Sequence, residues 1–123
     1  ERVLYDAYNY KAGVTARFNL NLLHRINREL GGNFDTGAFT HRAIYNRDCH
    51  RIEMHLISCK AQTVCMLGHS CSFRAGKSIH TESSYKYSLE RFAALARSSG
   101  WTPRETWIDA AAMFSVHALM ASG

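Results

Sequence analysis

Between Gly13 and Leu30 apolar residues return at every fourth position, Val14, Phe18, Leu22, Ile26 and Leu30, with Leu23 widening the stripe and Arg17, Arg25, Arg28 and Glu29 placed elsewhere. A repeat close to 3.6 puts such positions on one face of a helix, so an amphipathic helix with this stripe against a core is expected. Gly31 and Gly32 follow it, and glycine supplies the left-handed backbone that often ends a helix. From residue 39 the period shortens to two, predicting strands at 39–45, 51–59, 62–66, 71–74 and 77–85. In the second of these Ile52, Met54 and Leu56 alternate with Arg51, Glu53 and His55, the pattern of a sheet buried on one side. The breaks at 46–50, 68–70 and 75–76 are short enough for antiparallel neighbours, so this part reads as an antiparallel β-meander beside one amphipathic helix.

Ser88 can cap a further helix, with Leu89, Phe92, Ala93, Leu95 and Ala96 as its apolar face and Gly100 as its stop. Strands are expected at 101–108 and 114–120, which gives a mixed α/β chain. Pro103 has no N–H for a ladder, so its strand is expected to lie at an edge or to begin pairing after the proline. In the last strand Phe114, Val116, Ala118 and Met120 alternate with Ser115, His117 and Leu119, apolar over most of both faces. Such a strand needs cover on two sides. The chain has too few helices to supply it, so it is expected to be a piece of something larger, an oligomer being the other source of the same cover.

Composition narrows the function classes. The apolar fraction of 46% and charged fraction of 20% are those of an ordinary globular domain. No run approaches the roughly 18 apolar residues of a membrane helix, and residues 1–6 lack the layout of a signal peptide, so a cytoplasmic location without membrane contact is expected. Fifteen Lys and Arg against ten Asp and Glu give +5, yet the basic residues are scattered without a run, which argues against a nucleic-acid partner. Cys49, Cys59, Cys65 and Cys71 contain no CxxC, and although His50, His55, His69 and His80 lie among them, neither a disulfide framework nor a metal site is expected. Free cysteines on alternating strand positions are read as small hydrophobes.

Five spaced segments carry a resemblance: Ala7-Tyr8-Asn9, Gly13-Val14-Thr15-Ala16-Arg17-Phe18-Asn19, Asn27-Arg28-Glu29-Leu30, Arg51-Ile52-Glu53-Met54 and Thr81-Glu82-Ser83-Ser84-Tyr85-Lys86. In this order they resemble the motifs of the S-adenosylmethionine-dependent L-histidine Nα-methyltransferases of ergothioneine biosynthesis, over nearly the whole chain. The resemblance implies that residues 1–85 are a segment of the histidine-binding domain. It implies that 86–123 are the closing helix and two strands of a class I methyltransferase sheet, and that the activity is trimethylation of the α-amine of L-histidine to hercynine. It places the cofactor-binding part ahead of this chain. None of the eight glycines here forms the strand, GxG, helix turn that brings backbone against a nucleotide. No cofactor-binding residue is therefore assigned, and the chain alone is expected to be inactive until joined by that segment or another chain. The alternatives are a non-catalytic amino-acid-binding or partner module, and a methyltransferase for another aromatic amino acid.

Side chains two apart on a strand share a face, so Glu82 and Ser84 converge, and a carboxylate beside a hydroxyl can match the two nitrogens of an imidazole. The resemblance assigns that grip to this pair, places Met54 against the same ring, and gives the Tyr8 hydroxyl to the substrate carboxylate. By pattern alone Met54 is a core residue, Tyr8 a packed aromatic near a helix start, and the Glu82–Ser84 pair a solvated strand face. One departure lies close by: the family pattern leads one to expect Asp at position 10, where this chain has Tyr10. No catalytic residue is assigned.

Overall fold

The computed structural model describes residues 2–9 and 13–121, and the chain divides into two compact units, 1–85 and 86–123. The first begins with a short helix, α1 (Arg2–Tyr8), then α2 (Val14–Leu30), which opens and closes on left-handed Gly13 and Gly31 at φ 67° and 61°. A single 3-10 turn (Thr36–Ala38) leads into β1 (Phe39–Asn46), β2 (Arg51–Ser58), β3 (Gln62–Met66), β4 (His69–Phe73) and β5 (Ser78–Tyr85). All pairings are antiparallel, in the sheets β1-β2-β5 and β3-β4. The expected meander is thus interrupted. After β2 the chain leaves to make the β3-β4 hairpin and returns as β5 on the free side of β2.

Leu23, Phe39, Leu56, Val64 and Phe73 form the core of this unit, with Leu20, Phe34 and Ile79 packed against it. Phe34, Phe39 and Phe73 meet edge-on or tilted with ring centroids 5.5 to 6.3 Å apart, arrangements that the ring quadrupole favours. The loop after α2 is tied by Asn27, whose side chain accepts from the Phe34 N–H and donates to its carbonyl, both at 2.8 Å.

The helix α2 forms where its periodicity predicts, but not with the expected face inward. Val14, Phe18, Leu22 and Leu30 are exposed, whereas Asn19 and Leu23 are buried. The reason is a polar anchor. Asn19 donates to His41 Nδ1 at 3.0 Å and to the His55 carbonyl at 3.3 Å, fastening α2 to β1 and β2 and turning Phe18 and Leu22 aside. The cysteines differ from expectation too: all four are free, but all are exposed.

The second unit holds α3 (Leu89–Ser98), capped by the Ser88 hydroxyl accepting from the Arg91 N–H at 3.2 Å, and the antiparallel pair β6 (Trp101–Ile108) and β7 (Ser115–Ala121). In a two-stranded ladder every strand is an edge, which accommodates Pro103. Pairing does not wait for it: Trp101 opposes Ala121 and Thr102 opposes Met120, with an irregularity between Pro103 and Glu105. Trp101, Trp107, Ile108, Phe114, Val116 and Met120 stand exposed, as the two-sided apolar pattern foreshadows. No helix among the described residues is long and apolar enough to cross a membrane.

Candidate functional site

The α2 side of the three-stranded sheet brings the four expected residues together. Met54, only 3% exposed, sits on the central strand opposite Glu82, and its neighbour Ile52 sits opposite Ser84. Tyr8 reaches this floor from α1. Its carbonyl accepts from His41 Nε2 on β1 at 3.1 Å, while its hydroxyl donates to Ser84 Oγ on β5 at 3.0 Å, so the residue bridges both edges of the sheet. Because a carbonyl can only accept, His41 carries its hydrogen on Nε2 and accepts from Asn19 on Nδ1. The next residue fixes the height of α1: Asn9 accepts from the Ala43 N–H and donates to its carbonyl, each at 3.1 Å, in the manner of an added strand. Tyr10 lies outside the described residues.

Glu82 is exposed and lines a cavity of about 210 Å³ with Phe18, Asn19, Asn21, Leu22, Arg25 and Thr81. The apolar residues that α2 turns away from the core are therefore a wall of this cavity. Arg25 does not neutralise Glu82, since it is paired with Glu29 at 3.1 Å one helical turn on. Of the four expected residues Glu82 alone lines this cavity; Met54 and Ser84 share its face of the sheet, and Tyr8 joins them through its bond to Ser84. Sequence reasoning missed Asn19, His41, Phe18 and Leu22. Asn19 had a signal, being a polar residue one position from the apolar stripe, but its partner on β1 is distant in the chain.

The opposite face carries a second polar group. Glu53, buried on β2, accepts from Arg51 Nε at 2.8 Å and Asn46 at 3.0 Å through one oxygen and faces His55 Nε2 at 3.1 Å through the other. These bonds, those from Arg51 first and His55 second, hold its carboxyl down to about pH 2. The His55 ring stacks on His80 with centroids 4.7 Å apart. Ligand atoms of Glu53, His55 and His80 lie within 4.8 Å of one another, enough to consider a metal ion. Against it stands Arg51, whose guanidinium already meets the one carboxylate at 2.7 Å and would repel a cation. Metal analysis of the chain purified without chelators is expected to find no stoichiometric ion. One ion per chain, lost in both Glu53→Gln and His80→Ala, would make this cluster a metal centre.

None of the described glycines forms a nucleotide cradle. Gly13 lies between two helices, Gly68 in the β3–β4 hairpin, Gly76 between β4 and β5, and Gly100 between α3 and β6.

A family profile described as "Histidine-specific methyltransferase, SAM-dependent" matches residues 1–121. A histidine N-alpha-methyltransferase of Mycolicibacterium smegmatis is 41% identical over 115 residues, covering 92% of this chain and 36% of the relative. One of Mycobacterium tuberculosis is 38% identical over the same share. The chain thus spans about a third of the length of these curated relatives.

Proposed function

We propose, since this chain belongs to the family of histidine-specific, SAM-dependent methyltransferases, that its first unit supplies the substrate pocket of an enzyme that methylates the α-amine of L-histidine. The observation that carries the reading is the convergence of Tyr8, Met54, Glu82 and Ser84 on one face of the sheet, with the Tyr8–Ser84 bond closing the group at 3.0 Å. Glu82 accepts from one imidazole nitrogen, Ser84 meets the other, Met54 is the floor under the ring, and the Tyr8 phenol turns to the carboxylate. The phenol has one hydrogen, so turning it to the carboxylate breaks its bond to Ser84 Oγ and leaves that hydroxyl to donate to the imidazole nitrogen bearing a lone pair.

The cofactor supplies a methyl group on a positively charged sulfur, a leaving group that needs no acid. The work left to this unit is to hold the amino acid so that its unprotonated nitrogen lies in line with that methyl carbon, and positioning of this kind can supply a large share of a rate enhancement. Three such transfers give hercynine, on the way to ergothioneine. The cofactor-binding part is read as belonging to a portion of the enzyme other than these residues, and the exposed apolar faces of β6 and β7 as surface that this portion covers.

Two measurements test the reading. The 123-residue chain should show no methyl transfer from S-adenosylmethionine to histidine; turnover by it alone would end the assignment of the cofactor site elsewhere. Exchanged for the matching 115 residues of the M. smegmatis relative, it should support formation of trimethylated histidine. A folded exchange protein that binds the cofactor but neither binds nor methylates histidine would show that this unit is not a histidine pocket.

A further inference from the structure

Helix α1 is seven residues long and buries none of them, so neither its own hydrogen bonds nor apolar packing settles where it lies. Polar ties hold it at its C-terminal end, where helix carbonyls lack partners within the helix. The Asn9 side chain joins β1 at Ala43. One residue earlier, the Tyr8 carbonyl takes its hydrogen bond from His41. A single tie leaves a helix free to swing about it. The second tie, on the residue that carries the phenol, stops the swing.

The direction of each bond behind that tie is determined. The His55 carbonyl on β2 can only accept, so Asn19 turns its amide nitrogen, not its oxygen, towards β2. The other hydrogen of that nitrogen meets His41 Nδ1 at 3.0 Å, which must then hold a lone pair. The hydrogen of the neutral ring is left on Nε2, 3.1 Å from the Tyr8 carbonyl. A backbone carbonyl at each end thus selects the same tautomer. Asn19, which transmits the selection, is only 2% exposed. It also lines the cavity beside Phe18 and Leu22, so one residue holds the α2 wall and, through His41, the phenol.

We infer that Asn19 and His41 are positioning residues of the ligand site: they fix one imidazole tautomer, whose Nε2–H sets α1 and with it the Tyr8 hydroxyl over the sheet. Where the hydroxyl stands is a matter of geometry alone. Its effect on histidine rests on the function proposed above, in which the phenol meets the substrate carboxylate.

Two replacements at position 41 separate the arms. Glutamine brings an amide nitrogen near the place of Nε2 and still donates to the Tyr8 carbonyl, but offers Asn19 no acceptor at Nδ1. Asparagine brings an amide oxygen near the place of Nδ1 and still accepts from Asn19, but is too short to reach Tyr8. In the exchanged relative His41→Asn should weaken L-histidine by roughly three- to tenfold, part of one hydrogen bond to a charged group, and leave histamine, which has no carboxylate, unchanged. His41→Gln should retain histidine binding even if both variants melt at the same lower temperature. Equal weakening of both ligands, or losses that follow melting temperature, would make His41 a structural residue only. In a Tyr8→Phe background His41→Asn should have no further effect on histidine; an undiminished loss there would overturn the route through the phenol.

If Tyr8→Phe itself leaves histidine binding unchanged, the carboxylate reading fails, and the geometry is decided in the 123-residue chain. There the nuclear Overhauser contact between the Tyr8 ring and Ser84 should be kept in His41→Gln and lost in His41→Asn, and its persistence in His41→Asn would overturn the inference. Should the variants not fold, the wild type decides. At alkaline pH, where imidazoles are neutral, long-range proton–nitrogen spectra should show His41 with its hydrogen on Nε2 and a bare Nδ1. The opposite tautomer would overturn the relay.

Discussion

Glu82→Ala should weaken histidine binding by roughly ten- to a hundredfold in the exchanged relative and leave phenylalanine nearly unaffected. A hydrogen bond to a charged group contributes about 1.5 to 3 kcal/mol, and each 1.4 kcal/mol is a factor of ten. Which end applies depends on water. Glu82 is exposed within the first unit, where a carboxylate competes with solvent for its donor, and a value near tenfold is expected so long as water reaches it. The upper end requires the pocket to be closed over the bound ring. Phenylalanine meets the apolar walls Phe18 and Leu22 but brings no ring donor to Glu82, so it should bind weakly to the wild type and gain little or nothing from the truncation. Tryptophan offers one N–H and should fall between the two. Calorimetry with the three amino acids on wild type and variant gives the answer: equal weakening of all three would mean that Glu82 supports the fold and reads no ring nitrogen.

How much of this was legible in the chain depends on how local each signal is. Strand positions follow from side-chain alternation, and β3 and β6 fall on the residues expected, because pleat and period are properties of neighbouring residues. The capping role of Ser88 is equally local. The face of α2 is not. Its four-residue stripe is real, but burial there is decided by Asn19 finding His41 and the backbone of His55, 22 and 36 residues away, an arrangement no hydrophobic period encodes. The same holds for sheet order, since nothing in the short turns says that β5 will skip the hairpin and pair with β2.

The site was legible as a set of residues and not as an arrangement. Glu82 and Ser84 share a face by simple counting, but a run such as Ser78–Tyr85 gives no sign that Thr81 is supernumerary, the β-bulge by which Ile79 faces the core and Glu82, three residues on, still opposes Met54. Likewise the Arg51-Ile52-Glu53-Met54 segment reads as alternation, with Glu53 expected on an outward face. Its burial comes from the partners it gathers, Arg51, Asn46 and His55.

That burial makes the charge of Glu53 a measurable part of the stability of the first unit. The titratable and charged groups facing it are Arg51 and His55 on its own strand and, beyond His55, His80 on β5; Arg51 is held in turn by the Tyr85 hydroxyl at 2.8 Å. Glu53→Gln keeps the volume but removes the charge from bonds worth about 1.5 to 3 kcal/mol, and Arg51 is left to partial hydration, so a loss of about 2 kcal/mol is expected at neutral pH. For a chain of this size that is a drop of roughly 6 to 10 °C in melting temperature. The pH dependence gives a second, independent sign. The folded pKa, about 2, lies below the ordinary 4.5, so the folded state holds the carboxylate more favourably than the unfolded chain does. Its contribution is therefore complete above about pH 5 and is lost as pH falls from there towards 2. Over that range the melting temperature of the wild type should approach that of Glu53→Gln, and the gap between them should close. A gap that stays constant from pH 7 down to pH 3 would mean that the carboxylate charge contributes nothing, and that the variant is weakened by packing alone.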